Sequence, residues 1–327
     1  MSGTQAADDA NDTADVSSFF EGIAWTPVIQ EMAELLVLWI SCDLCGAALW
    51  GLPRVGKSEF ARYIEKVALE LFGDTMLVIR LHFEGSEQFV KTVPLIRRML
   101  ANVDVRALSH RDPDVLRQRF YDEIWSRCTT KTRRILVIVD EVQNVAVGLY
   151  GEFSIINAAI RDKEYTPFML SIGQPELRST VANVENKLHT MGRMFQEVCE
   201  FHGLSLNQLE ELLASMEGKD LNFSRRYFPA RAEKGWSVIV LVGPIERAVR
   251  SVVDLDQKNL DLFMPMAIVR QTLNYLFFFL ADEDNADKDV TETEVLQAFA
   301  RNGFKKQIMA YCKPRLEPAQ PKKAAEQ

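Results

Sequence analysis

Cysteine and histidine are scarce in this sequence, and neither is spaced for chemistry. Its 327 residues include five cysteines (Cys42, Cys45, Cys128, Cys199, Cys312) and four histidines (His82, His110, His189, His202). An odd, scattered set of cysteines excludes a disulfide framework and suits reduced thiols. Cys42 and Cys45 do form C-x-x-C, but no second ligand pair stands at metal spacing and no thioredoxin-like setting surrounds them, so buried structural thiols are expected. An excess of basic charge is also missing: 38 Lys and Arg face 46 Asp and Glu, a net charge of −8. That argues against coating nucleic acid by bulk attraction, while leaving room for a local basic stripe. Long apolar runs are absent as well. The most apolar stretch, residues 273–281, is too short to span a bilayer, and Arg270, Gln271 and Asn274 stand just before or inside it. Residues 1–17 lack both a basic n-region and an apolar h-region; they read as a disordered tail, not a signal. The expected location is cytoplasmic, with no membrane partner.

With 47% apolar and 26% charged residues the composition is that of an ordinary globular protein, so function has to come from motifs. Thr26 and Pro27 cap and start a helix whose apolar positions Val28, Met32, Leu35, Leu36 and Ile40 recur at helical spacing. Apolar runs at 45–50, 76–83, 134–140 and 167–172 read as strands, the first and third of them buried, and 199–203 is a candidate fifth. Helical patterns at 59–72, 90–100, 114–128 and about 152–162 separate them. This alternation predicts an α/β fold with a mainly parallel sheet flanked by helices. After Ser205 the strands largely stop, and 206–216, 244–253, 265–280 and 290–299 read as helices. The expected domains are therefore a nucleotide-binding α/β domain over 18–204 and a smaller helical lid over 205–313, followed by a mobile tail at 314–327.

Residues 51–58 read GLPRVGKS and match G-x-x-x-x-G-K-[ST] in full. Gly51 and Gly56 let the backbone curl, so that successive N–H groups of the loop Leu52, Pro53, Arg54, Val55 and Lys57, Pro53 itself having none, can face phosphate oxygens. The Lys57 side chain reaches the β and γ phosphates, the Ser58 hydroxyl ligates Mg2+, and Glu59 follows in the first turn of a helix whose positive end faces the same anion. An apolar strand before the loop and an amphipathic helix after it supply the context this motif needs. Downstream, RILVIVDE is a buried strand ending in Asp140 and Glu141 at the sheet edge where ligands bind. Asp140 is expected to hold Mg2+, and Glu141 to polarise an attacking water; capping of the next helix is the plainer role for both.

Three further positions complete the expected site. Gln174, just after the strand that ends SIGQPEL, is placed to sense the γ phosphate, although G-Q-P is also a turn signal. Arg193 is the candidate for an arginine delivered to a neighbouring subunit's γ phosphate, preferred over Arg178, with a solvated surface arginine as the alternative. Arg270, preferred over Arg247, is the lid arginine expected to reach back over the nucleotide.

The combination of GLPRVGKS, ILVIVDE, a strand ending SIGQPEL and the helical VTETEVLQAF resembles the AAA+ P-loop ATPases that regulate DNA transposition, the TnsC/TniB group. The similarity spans residues 20–305. GQPEL and the lid pattern also resemble secretion-associated ATPases of the ExeA type. The first resemblance implies ATP and Mg2+ as cofactors, slow partner-stimulated hydrolysis, and a homo-oligomeric ring or filament on double-stranded DNA. Its partners would be a target-selector protein and a transposase. DNA contact is then expected at Lys91, Thr92, Arg97 and Arg98, where solvated surface charge is the alternative. Between 222 and 259 the sequence departs from a minimal member: Arg225, Arg226, Arg231 and Lys234 stand near Tyr227, Phe228 and Trp236, ahead of SVIVLVG. A small β insertion carrying a partner surface is expected there. A protein-directed signalling switch is the competing function, and no internal repeat of the kind such chains append is found.

Overall fold

The computed structural model describes residues 25–85, 88–105, 110–185 (backbone only for 183–185), 194–219, 221–285 and 288–314. Five parallel strands form the central sheet: β1 (Gly46–Trp50), β2 (Met76–His82), β3 (Arg134–Asp140), β4 (Thr166–Gly173) and β5 (Glu197–Glu200), in the order β2-β3-β4-β1-β5. Strand β4 thus separates the strand that feeds the phosphate loop from the strand that carries Asp140. The fifth strand begins two residues earlier than 199–203 and ends before Phe201, whose buried ring packs at 5.5 Å on Phe60.

Helices cover both faces: α1 (Pro27–Ser41), α2 (Lys57–Phe72), α3 (Thr92–Asn102), α4 (Pro113–Arg127), α5 (Tyr150–Asp162) and α6 (Glu176–Glu185). The starts of α1 and α4 are written locally. The Thr26 hydroxyl accepts from the Ile29 N–H and the Asp112 carboxylate from the Asp114 N–H, with a proline in each first turn. Strand β3 shows why its apolar run lacks alternation. Ile135, Val137 and Val139 join one buried cluster, with α3, α4 and α5, while Leu136 and Ile138 join another with α1 and α2. Both of its faces are core.

Helices dominate the remainder: α7 (Leu206–Met216), α8 (Phe223–Tyr227), α9 (Pro229–Glu233), α10 (Val242–Val252), α11 (Met266–Ala281), α12 (Glu292–Arg301) and α13 (Phe304–Gln307). A short antiparallel pair, β6 (Leu260–Leu262) and β7 (Cys312–Pro314), joins the C-terminal end of the described chain to the lid. Reciprocal capping boxes, Ser205 with Gln208 and Thr291 with Glu294, open α7 and α12.

Two expectations fail. Residues 222–259 hold no β insertion: SVIVLVG forms a 3-10 turn (Val238–Leu241) running into α10. Buried Val238, Leu241, Ile245, Ala248 and Val249 recur at helical spacing, a period visible only when the apolar run is followed past Pro244. The aromatics there pack against the core instead of forming an exposed patch: Phe223 and Phe228 are buried at 4.8 and 5.9 Å from Phe277, and Tyr227 and Trp236 are half-buried beside them. The cysteines of C-x-x-C are not buried either. Cys42 is exposed at the end of α1 and Cys45 is half-buried, within 2.5 Å of the Arg161 guanidinium. No helix among the described residues is long and apolar enough to cross a membrane.

Candidate nucleotide site

The loop after β1 is held open by its neighbours. The Gly51 N–H donates to the Gly173 carbonyl of β4 at 3.2 Å, and a Cβ on Gly51 would lie 2.2 Å from the Phe201 carbonyl oxygen, so no other residue fits. The loop then curls through two left-handed residues, Arg54 (φ 65°) and Gly56 (φ 116°), before α2 begins at Lys57. Val55 is buried beneath the curl. The Lys57 ammonium donates to the carbonyls of Gly51 and Leu52, each at 2.8 Å. Burial pushes its pKa below the usual lysine value, against the pull of Glu141, Asp140 and Glu176.

The lid closes one side of this loop. The Ala267 N–H, in the first turn of α11, donates to the Arg54 carbonyl at 3.2 Å, and the Met266 side chain approaches Gly56. Between loop and lid lies a cleft of about 810 Å³, within the size range of small-molecule sites. Pro53, Arg54, Gly56, Lys57, Ser58 and Glu59 line it from below, Glu141 and Gln174 from the sheet edge, and Arg270 from α11. Thr26 and Ile29 from the start of α1 and Leu212 of α7 complete its apolar end.

Asp140 and Glu141 are adjacent in sequence but differently placed. Asp140 is fully buried; its Oδ2 accepts from Arg80 Nη2 at 2.9 Å and lies 3.1 Å from His82 Nδ1. His82 is Asp140's register partner across β2 and β3, and Arg80 stands two residues earlier on the same strand face. The other oxygen, Oδ1, is buried with no partner. An orphaned carboxylate oxygen is costly unless something donates to it or binds it, and a hydrated divalent cation fits. No group of three His, Cys, Asp or Glu side chains gathers as metal ligands among the described residues. Such a cation would therefore complete its shell from the Ser58 hydroxyl, phosphate and water. Glu141 leaves the strand in the left-handed region (φ 59°), which turns its side chain into the cleft. Its carboxylate accepts from Gln143 Nε2, and Gln143 Oε1 accepts from the Gln174 N–H at 3.2 Å.

The structure thus gathers the loop residues, Glu141, Gln174 and Arg270 around one cleft, with Asp140 just beneath. It does not gather the rest. Arg193 lies outside the described residues. Arg178 stacks over Trp50 at 5.2 Å, and Arg247 sits on α10, away from the lining. Lys91 is exposed and caps α3, and Thr92 opens that helix. Arg97 donates to the His110 carbonyl at 2.7 Å and Arg98 to the His82 carbonyl at 3.1 Å. Sequence reasoning passed over Arg80, His82 and Gln143. The signal for the first two was present: they are the polar pair at i and i+2 in the otherwise apolar MLVIRLHF. They also line a second polar cavity of about 860 Å³ that shares Ser58, Glu141 and Gln174 with the first.

No family model matches the sequence, and no curated protein does. Solved structures are similar in fold. The ORC2 protein of Aeropyrum pernix, solved in ADPNP and ADP complexes, aligns with a TM-score of 0.55 at 12% identity over 87% of this chain and 71% of its own. Cdc6p of Pyrobaculum aerophilum aligns with a TM-score of 0.55 at 15% identity over 88% of this chain and 71% of its own. The chain therefore shares the fold of these ORC and Cdc6 proteins, a five-stranded parallel sheet flanked by helices.

Proposed function

We propose that this protein is an ATP-dependent, DNA-binding AAA+ regulator of transposition, which assembles on double-stranded DNA and links a target-selector protein to a transposase. The observation that carries the ATPase part is the convergence of Lys57, Ser58, Glu141, Gln174 and Arg270 on a single cleft above the orphaned oxygen of Asp140. The transposition part is supported by the sequence resemblance of GLPRVGKS, ILVIVDE and SIGQPEL to that family.

In this reading the loop N–H groups and the start of α2 bind the phosphates, and Lys57 exchanges two loop carbonyls for phosphate oxygens. Ser58 and Asp140 would hold Mg2+, which would neutralise phosphate charge when bound. Glu141 takes the proton of an attacking water, Gln174 orients that water, and Arg270 steadies the developing charge from the lid side. Because α11 both touches the loop at Arg54 and carries Arg270, nucleotide occupancy and lid position are mechanically joined. Lid position then sets which surface is offered to a second copy and to DNA. Lys91 and Thr92, at the start of α3, are the proposed backbone contacts, and Arg193 the residue lent to the neighbouring subunit.

The test is anisotropy and particle size of a fluorescent random-sequence duplex with ATP, ADP or no nucleotide, using the wild-type chain and Lys57→Ala. Large assemblies that require both ATP and Lys57 support the reading. Nucleotide binding without DNA binding under any condition overturns the DNA part and leaves a protein-directed switch.

A further inference from the structure

We infer that Gln143 is a positioning residue, whose amide couples the Glu141 carboxylate to the turn that follows β4. The inference rests on the ATPase reading and deepens it. Gln143 bridges two candidate groups that come from different strands. Its Nε2 donates to Glu141, the residue just after β3, while its Oε1 accepts from the Gln174 N–H at 3.2 Å, just past β4. A glutamate side chain with several rotatable bonds gains a fixed direction only when something holds its carboxylate. Here the holder is itself held. The Gln143 carbonyl accepts from Gln88 Nε2 at 3.1 Å, the Asn144 N–H returns to the Glu141 carbonyl at 3.0 Å, and Asn144 Nδ2 donates to the Phe83 carbonyl at 2.7 Å. Three bonds therefore pin the short turn after β3 from which the amide extends.

The space for that amide is supplied by Gly173. A Cβ at this position would stand 2.9 Å from Gln143 Oε1 and 3.0 Å from Leu177 Cδ2. The G in SIGQPEL is thus explained by room for a neighbour's side chain and not by turn conformation. One consequence is that any shift of the Gln174 turn is transmitted through a single amide to Glu141. The residue that lines the cleft at the end of β4 and the residue proposed as the base move together.

The experiment compares steady-state ATP hydrolysis and nucleotide affinity for wild type, Gln143→Met, Gln143→Glu, Gly173→Ala and Gln143→Ala with and without Gly173→Ala. Gln143→Met should lower kcat about tenfold to a hundredfold with Kd for ATP within about twofold. Gln143→Glu keeps the acceptor for the Gln174 N–H but replaces the donor to Glu141 by a like charge, so it should be no better than Gln143→Met. A role in shape alone would instead let Gln143→Glu retain activity, which overturns the inference, as does parallel loss of affinity and kcat. Gly173→Ala should lower kcat more in the wild-type background than in Gln143→Ala, where the clash with the Gln143 amide is gone and only Leu177 remains to give way; equal losses in both backgrounds also count against it. If wild type binds ATP but never hydrolyses it, the ATPase reading fails and this inference with it. Wild-type turnover that the Gln143 variants share removes only the inference.

Discussion

At the C-terminal edge of the sheet, side chains are held by charge pairs and single hydrogen bonds, whereas the helices after Ser205 are held by aromatic packing. Asp140 depends on Arg80 and His82, Glu141 on one amide, and Lys57 on two loop carbonyls. In the lid, Phe223 packs on Tyr227, Phe228 and Phe277, and Phe228 on Trp236 as well. Directional contacts fix where a charge points but contribute little net stability, because water satisfies the same groups in the unfolded chain. Aromatic burial contributes much stability and fixes no charge. The two regions should therefore fail differently: the sheet edge in chemistry, the lid in folding.

The largest expected effect tests the sheet edge. Glu141→Gln should lower kcat by about a hundredfold or more, since it removes the proposed base. Thermal midpoint and ATP affinity should stay near wild type, checked by calorimetry and equilibrium binding. Lys57→Ala should weaken ATP binding by on the order of a hundredfold, because a buried charge-assisted contact to phosphate is lost. Again the fold should persist, as read by circular dichroism.

Phe223→Ala should invert that pattern. Removing a buried ring costs about 3 to 5 kcal/mol, seen as a lower urea midpoint, while the residual folded fraction still binds ATP. Arg80→Met is the case that breaks the division. Asp140 is fully buried and Arg80 mostly so. Removing one partner of such a pair should destabilise by about 3 kcal/mol, so an edge residue should here behave like a core residue. A change below about 0.5 kcal/mol would show that His82 alone satisfies Asp140.

The smallest effect lies at the start of α12. Burial alone would raise the pKa of Glu294, but hydrogen bonds from the Thr291 hydroxyl and backbone outweigh it and hold the carboxyl below its ordinary value of 4.5. A depressed carboxyl contributes stability above its unfolded pKa and loses it as pH falls through the folded one. Thr291→Ala should cost about 1 kcal/mol at neutral pH and progressively less below pH 4.5, measured by urea titration across that window.

The proposed phosphate loop could be read at once because its pattern is a matter of spacing: Gly51, Gly56, Lys57 and Ser58 lie within one short loop and the start of α2. The central strands β1, β3 and β4 were legible for a similar reason, since buried parallel strands leave apolar runs, whereas the edge strand β5 (Glu197–Glu200), half exposed, has none. The segment at 238–241 was not, because a short apolar run is compatible with strand or helix until the lid core claims one face of it. Gln143 and Arg80 were hidden for a further reason. The polar pair Arg80 and His82 is visible in MLVIRLHF and Gln143 stands two residues from Glu141, but only the pairing of β2 with β3 brings Asp140 to Arg80, and only that of β3 with β4 brings the Gln174 N–H to Gln143.

By itself, then, the sequence determined the GLPRVGKS loop between β1 and α2, the alternation of the central strands with helices, and the adjacent carboxylates Asp140 and Glu141 where β3 ends, because each depends on neighbours along the chain. The tertiary structure alone decided that Asp140 is paired and half satisfied, that an amide ties Glu141 to Gln174, and that α11 lays Arg270 over the cleft. Those contacts join residues far apart in the chain, and their partners are chosen by strand register and helix packing, which no local pattern encodes.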